Sequence, residues 1–129
     1  MSQLPKILLI DDEESANFLH KAIIRHSKCA EEVVSTTRGI DALEYLTEEM
    51  EEGSIPDLIF LDVNMPNMSG WEFIEHYSKL NMKFPILIML TSSIDPRDLE
   101  KASEIQTISA FRSKPLTFEM LNEIIDEFF

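Results

Sequence analysis

Four short apolar runs in this chain each end on residues able to do chemistry. Ile7-Leu8-Leu9-Ile10 leads into Asp11-Asp12, with Glu13 and Glu14 directly behind. Leu58-Ile59-Phe60-Leu61 leads into Asp62 and then Val63-Asn64-Met65-Pro66. Ile86-Leu87-Ile88-Met89-Leu90 delivers Thr91-Ser92-Ser93, and the run ending at Ser113 delivers Lys114-Pro115. Carboxylates from Asp11, Asp12 and Asp62, if brought together, would repel one another and raise at least one pKa. A divalent cation removes that penalty, and an all-oxygen donor set suits Mg2+ or Mn2+ better than Zn2+. Lys114 beside Asp62 would then offer a positive charge to a phosphoryl oxygen, and the Thr91 hydroxyl would hydrogen-bond another. A plainer alternative stays open: Asp11 and Asp12 would serve only to cap a helix, and Ser92 and Ser93 likewise.

The elements that must position these residues follow from hydrophobic patterning. Apolar, β-branched stretches at 6–10, 32–35, 58–61, 85–90 and 109–113 read as strands, three of them apolar enough for burial on both faces of a parallel sheet. Amphipathic stretches alternate with them at 14–28, 38–52, 69–80, 96–106 and 117–129. The first places Phe18, Leu19, Ala22 and Ile23 on one face. Asp95, with Pro96 behind it, and Thr117 are N-cap signals for the last two. The second helix ends in Glu48-Glu49-Met50-Glu51-Glu52, a run expected to be solvated and to fray before Gly53, because its charge opposes the helix dipole. Strand and helix alternating five times predict an α/β doubly wound parallel sheet with helices on both faces. Sites in such sheets form at the carboxyl ends of the strands, where all the candidates fall.

The 129 residues suit one domain, of a size typical for domains at about 100–150 residues. With the last helix reaching residue 129, no second or output domain is expected. Eleven basic against 24 acidic residues give a net charge of −13, which disfavours direct contact with nucleic acid or anionic membranes. The single Cys29 cannot form an internal disulfide, and neither a secretory leader nor a membrane-spanning run is present, so the chain reads as soluble and cytoplasmic. Phosphate-binding Gly motifs and a serine-nucleophile motif are missing, and Asp62-x-Asn64 lacks the Gly and Glu of a calcium loop. His20, His26 and His76 have no ligand spacing and read as partly exposed helix residues.

In order and spacing, Asp11-Asp12, Asp62-Val-Asn-Met-Pro-Asn-Met-Ser-Gly, Thr91-Ser92 and Lys114-Pro115 resemble the receiver domain of bacterial response regulators. The resemblance covers essentially the whole chain and is closest in kind to the stand-alone, chemotaxis-type receivers. It implies a flavodoxin-like strand order 2-1-3-4-5 and a signalling protein of two-component phosphorelays rather than a conventional enzyme. Asp62 would be the phosphoacceptor, charged by a histidine kinase or phosphotransfer protein. Asp12 would ligate Mg2+ directly, Asp11 mostly through water, and Asn64 through its backbone carbonyl. Thr91 and Lys114 would hold phosphoryl oxygens, and Phe111 would be the rotating aromatic of the switch. The Lys114-Pro115 bond would be cis. An unidentified downstream protein would read the face formed by the fourth helix, fifth strand and fifth helix, with Arg97, Lys101 and Arg112.

Two departures stand out. Phe111 lacks the hydroxyl of the commoner Tyr, so a switch there must work by packing. Thr107-Ile108-Ser109 replaces a frequent Gly-Ala, leaving the geometry of that turn open. Asn64 and Ser93 would flank the path of hydrolytic water without blocking it. Two competing readings are a Mg2+ phosphohydrolase with an Asp nucleophile, which would want Asp-x-Asp where this chain has Asp62-Val63-Asn64, and a receiver-like docking platform without phosphorylation.

Overall fold

The structure is a computed structural model, and it describes residues 3–82, 84–92 and 94–129. Ser93 lies outside the described residues, so its expected capping and water-path roles have no structural counterpart here. Among the described residues ten elements alternate. They are β1 (Leu4–Ile10), α1 (Glu14–Ser27), β2 (Ala30–Thr36), α2 (Gly39–Glu52) and β3 (Leu58–Asp62), then α3 (Gly70–Ser78), β4 (Ile86–Thr91), α4 (Pro96–Ser103), β5 (Ala110–Ser113) and α5 (Phe118–Phe128). The strands form one parallel sheet in the order β2-β1-β3-β4-β5. That is the doubly wound arrangement expected.

Each strand sends alternate side chains to opposite faces, and the core divides accordingly. Leu8, Ile10, Ile59, Leu61, Leu87 and Met89 pack with α2, α3 and α4 through Leu46, Phe73 and Ala102. Ile7, Leu9, Leu58, Phe60, Ile88 and Leu90 pack with α1 and α5 through Ile24, Leu121 and Ile124. All five residues of β3 are buried, which explains its unbroken apolar run.

Local signals explain the helix ends. Asp95 accepts from the Arg97 amide and Thr117 from the Met120 amide, as caps should. Ser69 and Glu72 form a reciprocal capping box that starts α3. The turn at Thr107-Ile108-Ser109 closes without Gly: the Ser109 amide donates to the Leu87 carbonyl, and the Ser109 hydroxyl accepts from the Leu87 amide.

Several expectations need correction. The inward face of α1 is Asn17, His20 and Ile24; Phe18 is 78 % exposed, and Leu19 and Ala22 are also exposed. A hydrophobic count misplaces this face because two of its three buried positions are polar. His20 is therefore buried rather than partly exposed, whereas His26 and His76 are exposed as expected. The acidic end of α2, expected to fray, is fully helical in the structure. It runs to Glu52 and closes at Gly53 in the left-handed region, and Glu49 pairs with the buried Lys6 ammonium at 3.1 Å. Helix α4 is shorter than its amphipathic pattern, ending at Ser103, with Ile105 packed beyond it.

Candidate functional site

The register of the sheet assembles the site. Ile10 pairs with Leu61, so Asp11 and Asp62 leave neighbouring strands at the same level. Asp62 pairs with Leu90, one residue before Thr91, and Thr91 pairs with Ser113, one before Lys114. Four residues up to 103 positions apart in sequence therefore stand in one row along the carboxyl edge, because parallel strands start their loops on the same side.

Carboxylate oxygens of Asp11, Asp12 and Asp62 all lie within 4.8 Å of one another. The Lys114 ammonium is 2.7 Å from Asp11 Oδ2 and 3.8 Å from Asp62 Oδ1, its side chain only 11 % exposed. Its backbone is fixed too, since the Lys114 amide donates to the Thr91 carbonyl at 2.7 Å, and the Lys114-Pro115 bond is cis. Thr91 is buried beside them. Asn64 sits at an exposed position two residues beyond Asp62. Asp11 also accepts the Glu13 amide at 3.0 Å in a turn ahead of α1; the N-cap of that helix is Glu13 and no side chain caps it, so the plainer reading of Asp11 and Asp12 as helix caps does not hold.

Burial, followed by repulsion from Asp11, raises the Asp62 pKa from 3.8 to about 7 although Lys114 pulls the other way. Burial also pulls the Lys114 pKa down, but the hydrogen bond and attraction of Asp11, with Asp62 behind it, outweigh this and leave it raised. The site thus carries more negative charge than one ammonium neutralises. Three oxygen donors of this kind around one point fit Mg2+ or Mn2+, the ions that take carboxylate and water ligands.

Glycine at position 70 lets α3 approach this site. A Cβ there would stand 2.6 Å from the Asp62 carbonyl oxygen and 2.9 Å from Val63 Cα. The Gly70 amide donates to the Val63 carbonyl at 2.8 Å, which seats the helix directly on the loop after Asp62. Phe111, half-buried on β5, stacks on Trp71 of α3 with centroids 6.3 Å apart and planes 14° apart. Lys101 of α4 lies 4.6 Å from the Trp71 ring centroid on the same stack.

Two residues of this region escaped sequence reasoning. The Asn17 amide donates to the carbonyls of Asp11 and Thr36, tying α1 to the ends of β1 and β2. His20, 2 % exposed, accepts the Leu116 amide proton on Nε2 at 3.3 Å. Accepting there places the imidazole proton on Nδ1, and burial lowers the His20 pKa, with Asp11 opposing and Lys114 assisting. The only sequence signal for either was their spacing with Ile24 on one helical face.

The geometry defines a class: a doubly wound α/β domain with an acidic, lysine-bearing pocket at the carboxyl edge of its sheet. Residues 7–126 match the response regulator receiver domain family, and the chain belongs to it. A crystal structure of a two-component response regulator from Cytophaga hutchinsonii superposes with a TM-score of 0.89 at 38 % identity, covering 97 % of this chain and 96 % of that one. A two-component response regulator of Arabidopsis thaliana is 30 % identical over 92 % of this chain, which spans 19 % of the plant protein's length. The sporulation initiation phosphotransferase F of Bacillus subtilis is 23 % identical across 95 % of this chain and 92 % of its own length. Receiver domains of this family are signalling modules of two-component systems. Among the described residues no helix is long and apolar enough to cross a membrane.

Proposed function

We propose that this receiver is switched by phosphorylation of Asp62, with a histidine kinase or a phosphotransfer protein as the donor. The observation that carries the reading is the row of Asp11, Asp62, Thr91 and Lys114 at one sheet edge, with three carboxylates inside 4.8 Å and the Lys114 ammonium among them. Phosphoryl transfer needs alignment and charge neutralisation more than covalent help, and those are what the row supplies. Asp11, Asp12 and Asp62, with the Asn64 backbone carbonyl, would hold Mg2+. When bound, Mg2+ offsets the charge that the carboxylates and phosphoryl oxygens share.

The chain's own residues do the rest. An Asp62 carboxylate oxygen forms the new bond to phosphorus while the bond from phosphorus to the donor's leaving atom breaks. Burial leaves that carboxylate poorly solvated and therefore reactive once ionised. Lys114 exchanges part of its contact with Asp11 for a phosphoryl oxygen, and the Thr91 hydroxyl donates to another. As Thr91 is drawn inward, space opens beside β4, and Phe111 can leave its stack on Trp71 to fill it. This alters the face of α4, β5 and α5, which carries Arg97, Lys101 and Arg112 to a downstream protein. Because a ligand shifts populations only through differential affinity, the unphosphorylated chain already samples the second arrangement.

Incubation with acetyl phosphate and Mg2+ should add one base-labile phosphoryl group, seen by intact mass and absent from Asp62→Asn. Equal labelling of that variant would remove Asp62 from the role. No label on the wild type would leave a docking platform as the better reading.

A further inference from the structure

Between β5 and α5 the chain must pass Lys114, hold its side chain in the acidic pocket, and reach the Thr117 cap within three residues. Pro115 brings no N–H, so the backbone donors on either side of it are Lys114 and Leu116. The Lys114 amide is spent on the Thr91 carbonyl of β4 at 2.7 Å. The Leu116 amide reaches across to the opposite wall, to His20 Nε2 on α1 at 3.3 Å. Both His20 and Leu116 are almost fully buried. On the solvent side a cleft of about 420 Å³, lined by Ala16, Leu19, His20, Ser92, Lys114 and Pro115, separates α1 from this segment. Beneath the cleft Leu116 packs in the same core cluster as Ile24 of α1, and the imidazole adds a directional tie across that junction. His20 also shares a small internal space with Asp11 and Asp62.

We propose that His20 is a positioning residue for phosphoryl transfer: by accepting the Leu116 amide proton it fixes the Lys114 segment between α1 and β4, so that the ammonium is held between Asp11 and Asp62. The inference rests on the reading of Asp62 as phosphoacceptor. Its physical basis is the steep dependence of such reactions on placement, where about 1 Å of displacement costs on the order of 100-fold. His20 touches no phosphoryl group itself. It acts through the Lys114 segment and supplies no ligand to the metal, which the carboxylates bind as before.

The test compares His20→Leu, which removes the acceptor, His20→Asn, whose amide is too short to reach, and His20→Gln, whose carbonyl can take the Leu116 proton. The rate of Asp62 labelling by acetyl phosphate is measured with Mg2+ affinity, well below each melting temperature. Labelling should slow about 10-fold in His20→Leu and His20→Asn and stay within about threefold in His20→Gln, with Mg2+ affinity within about twofold throughout. In a Lys114→Met background, His20→Leu should cause no further slowing, because the two residues act in series. Wild-type rates in His20→Leu or His20→Asn overturn the inference while leaving Asp62 as acceptor. A parallel loss of Mg2+ affinity, or failure of His20→Gln to rescue, overturns it in favour of a general structural role. Should His20→Leu not fold, His20→Asn against His20→Gln decides the matter alone. Absence of label on the wild type overturns the inference together with the reading on which it rests.

Discussion

Replacing Asp62 with Asn removes one of three clustered carboxylates while keeping the size and shape of the side chain, so metal-free protein should become more stable at alkaline pH. Burial and Asp11 raise the Asp62 pKa from 3.8 to about 7. At about 1.4 kcal/mol per unit, ionising this carboxyl in the fold costs about 4 kcal/mol relative to the unfolded chain. The native state keeps its proton up to about pH 7 whereas the unfolded chain releases it near 3.8. Native protein therefore binds more protons between those values, and this group's contribution to stability falls as pH rises across the window. Asn avoids that loss, and the pull of Lys114 needs no separate subtraction because the raised value already contains it. A net stabilisation of about 4 kcal/mol at pH 8 follows, or about 10–20 °C in melting temperature for a domain this size, shrinking to almost nothing near pH 4. Melts of both proteins in chelator across pH 4 to 8 read this directly. Adding Mg2+ should reverse the order of gain: wild type rises by about 1.4 kcal/mol at roughly ten times its dissociation constant, and Asp62→Asn rises less. A variant melting below wild type at pH 8, or a difference that does not change with pH, would refute the electrostatic account of the site.

Three further outcomes are expected. Gly70→Ala should destabilise the fold by about 3 kcal/mol in denaturant melts and broaden the amide resonances of the loop after Asp62, because the new methyl meets backbone atoms that cannot rotate away; a loss under about 1 kcal/mol would mean that α3 can slide outward freely. Glu49→Gln should cost about 1 kcal/mol and free the last turn of α2 to fray, since the Lys6 ammonium then has a neutral amide oxygen in place of the carboxylate beside the Ser54 carbonyl and the Tyr45 ring; unchanged hydrogen exchange at the end of α2 would contradict this. Trp71 is the sole tryptophan, so its fluorescence should change when beryllofluoride occupies the site and Phe111 leaves the stack; Thr91→Ala should suppress that change without preventing binding, and a signal identical in Phe111→Ala would disconnect the stack from the switch.

Much of the architecture was legible before any coordinates. Burial on both faces writes an unbroken apolar run, as in Leu58–Leu61, and one-sided burial writes a 3.6-residue period, as in α5; both are local consequences of where water is excluded. Cap chemistry is local too, which is why Asp95 and Thr117 could be named as caps from the residues alone. The candidate site was legible for a related reason: each of its residues directly follows a strand, and parallel strands present all such positions on one edge.

The remainder depended on partners distant in sequence. Polar side chains carry no hydrophobic signal, so beyond their spacing with Ile24 residues 14–28 do not say that Asn17 and His20 turn inward while Phe18 and Leu19 face water; that choice is made by the carbonyls of Asp11 and Thr36 and by the Leu116 amide, 96 residues from His20. Glu49 looks like one more solvated acid until Lys6, 43 residues earlier, is seen to need it. The sequence by itself determined the alternation of elements, the burial of the central strands and the row of chemical groups at the sheet edge, because these follow from water and from the period of the backbone. Only the tertiary structure decided which acid pairs with which base, how far the Asp62 pKa moves and which buried polar atoms hold Lys114 in place, because those energies depend on distances and desolvation that exist only once the chain has closed on itself.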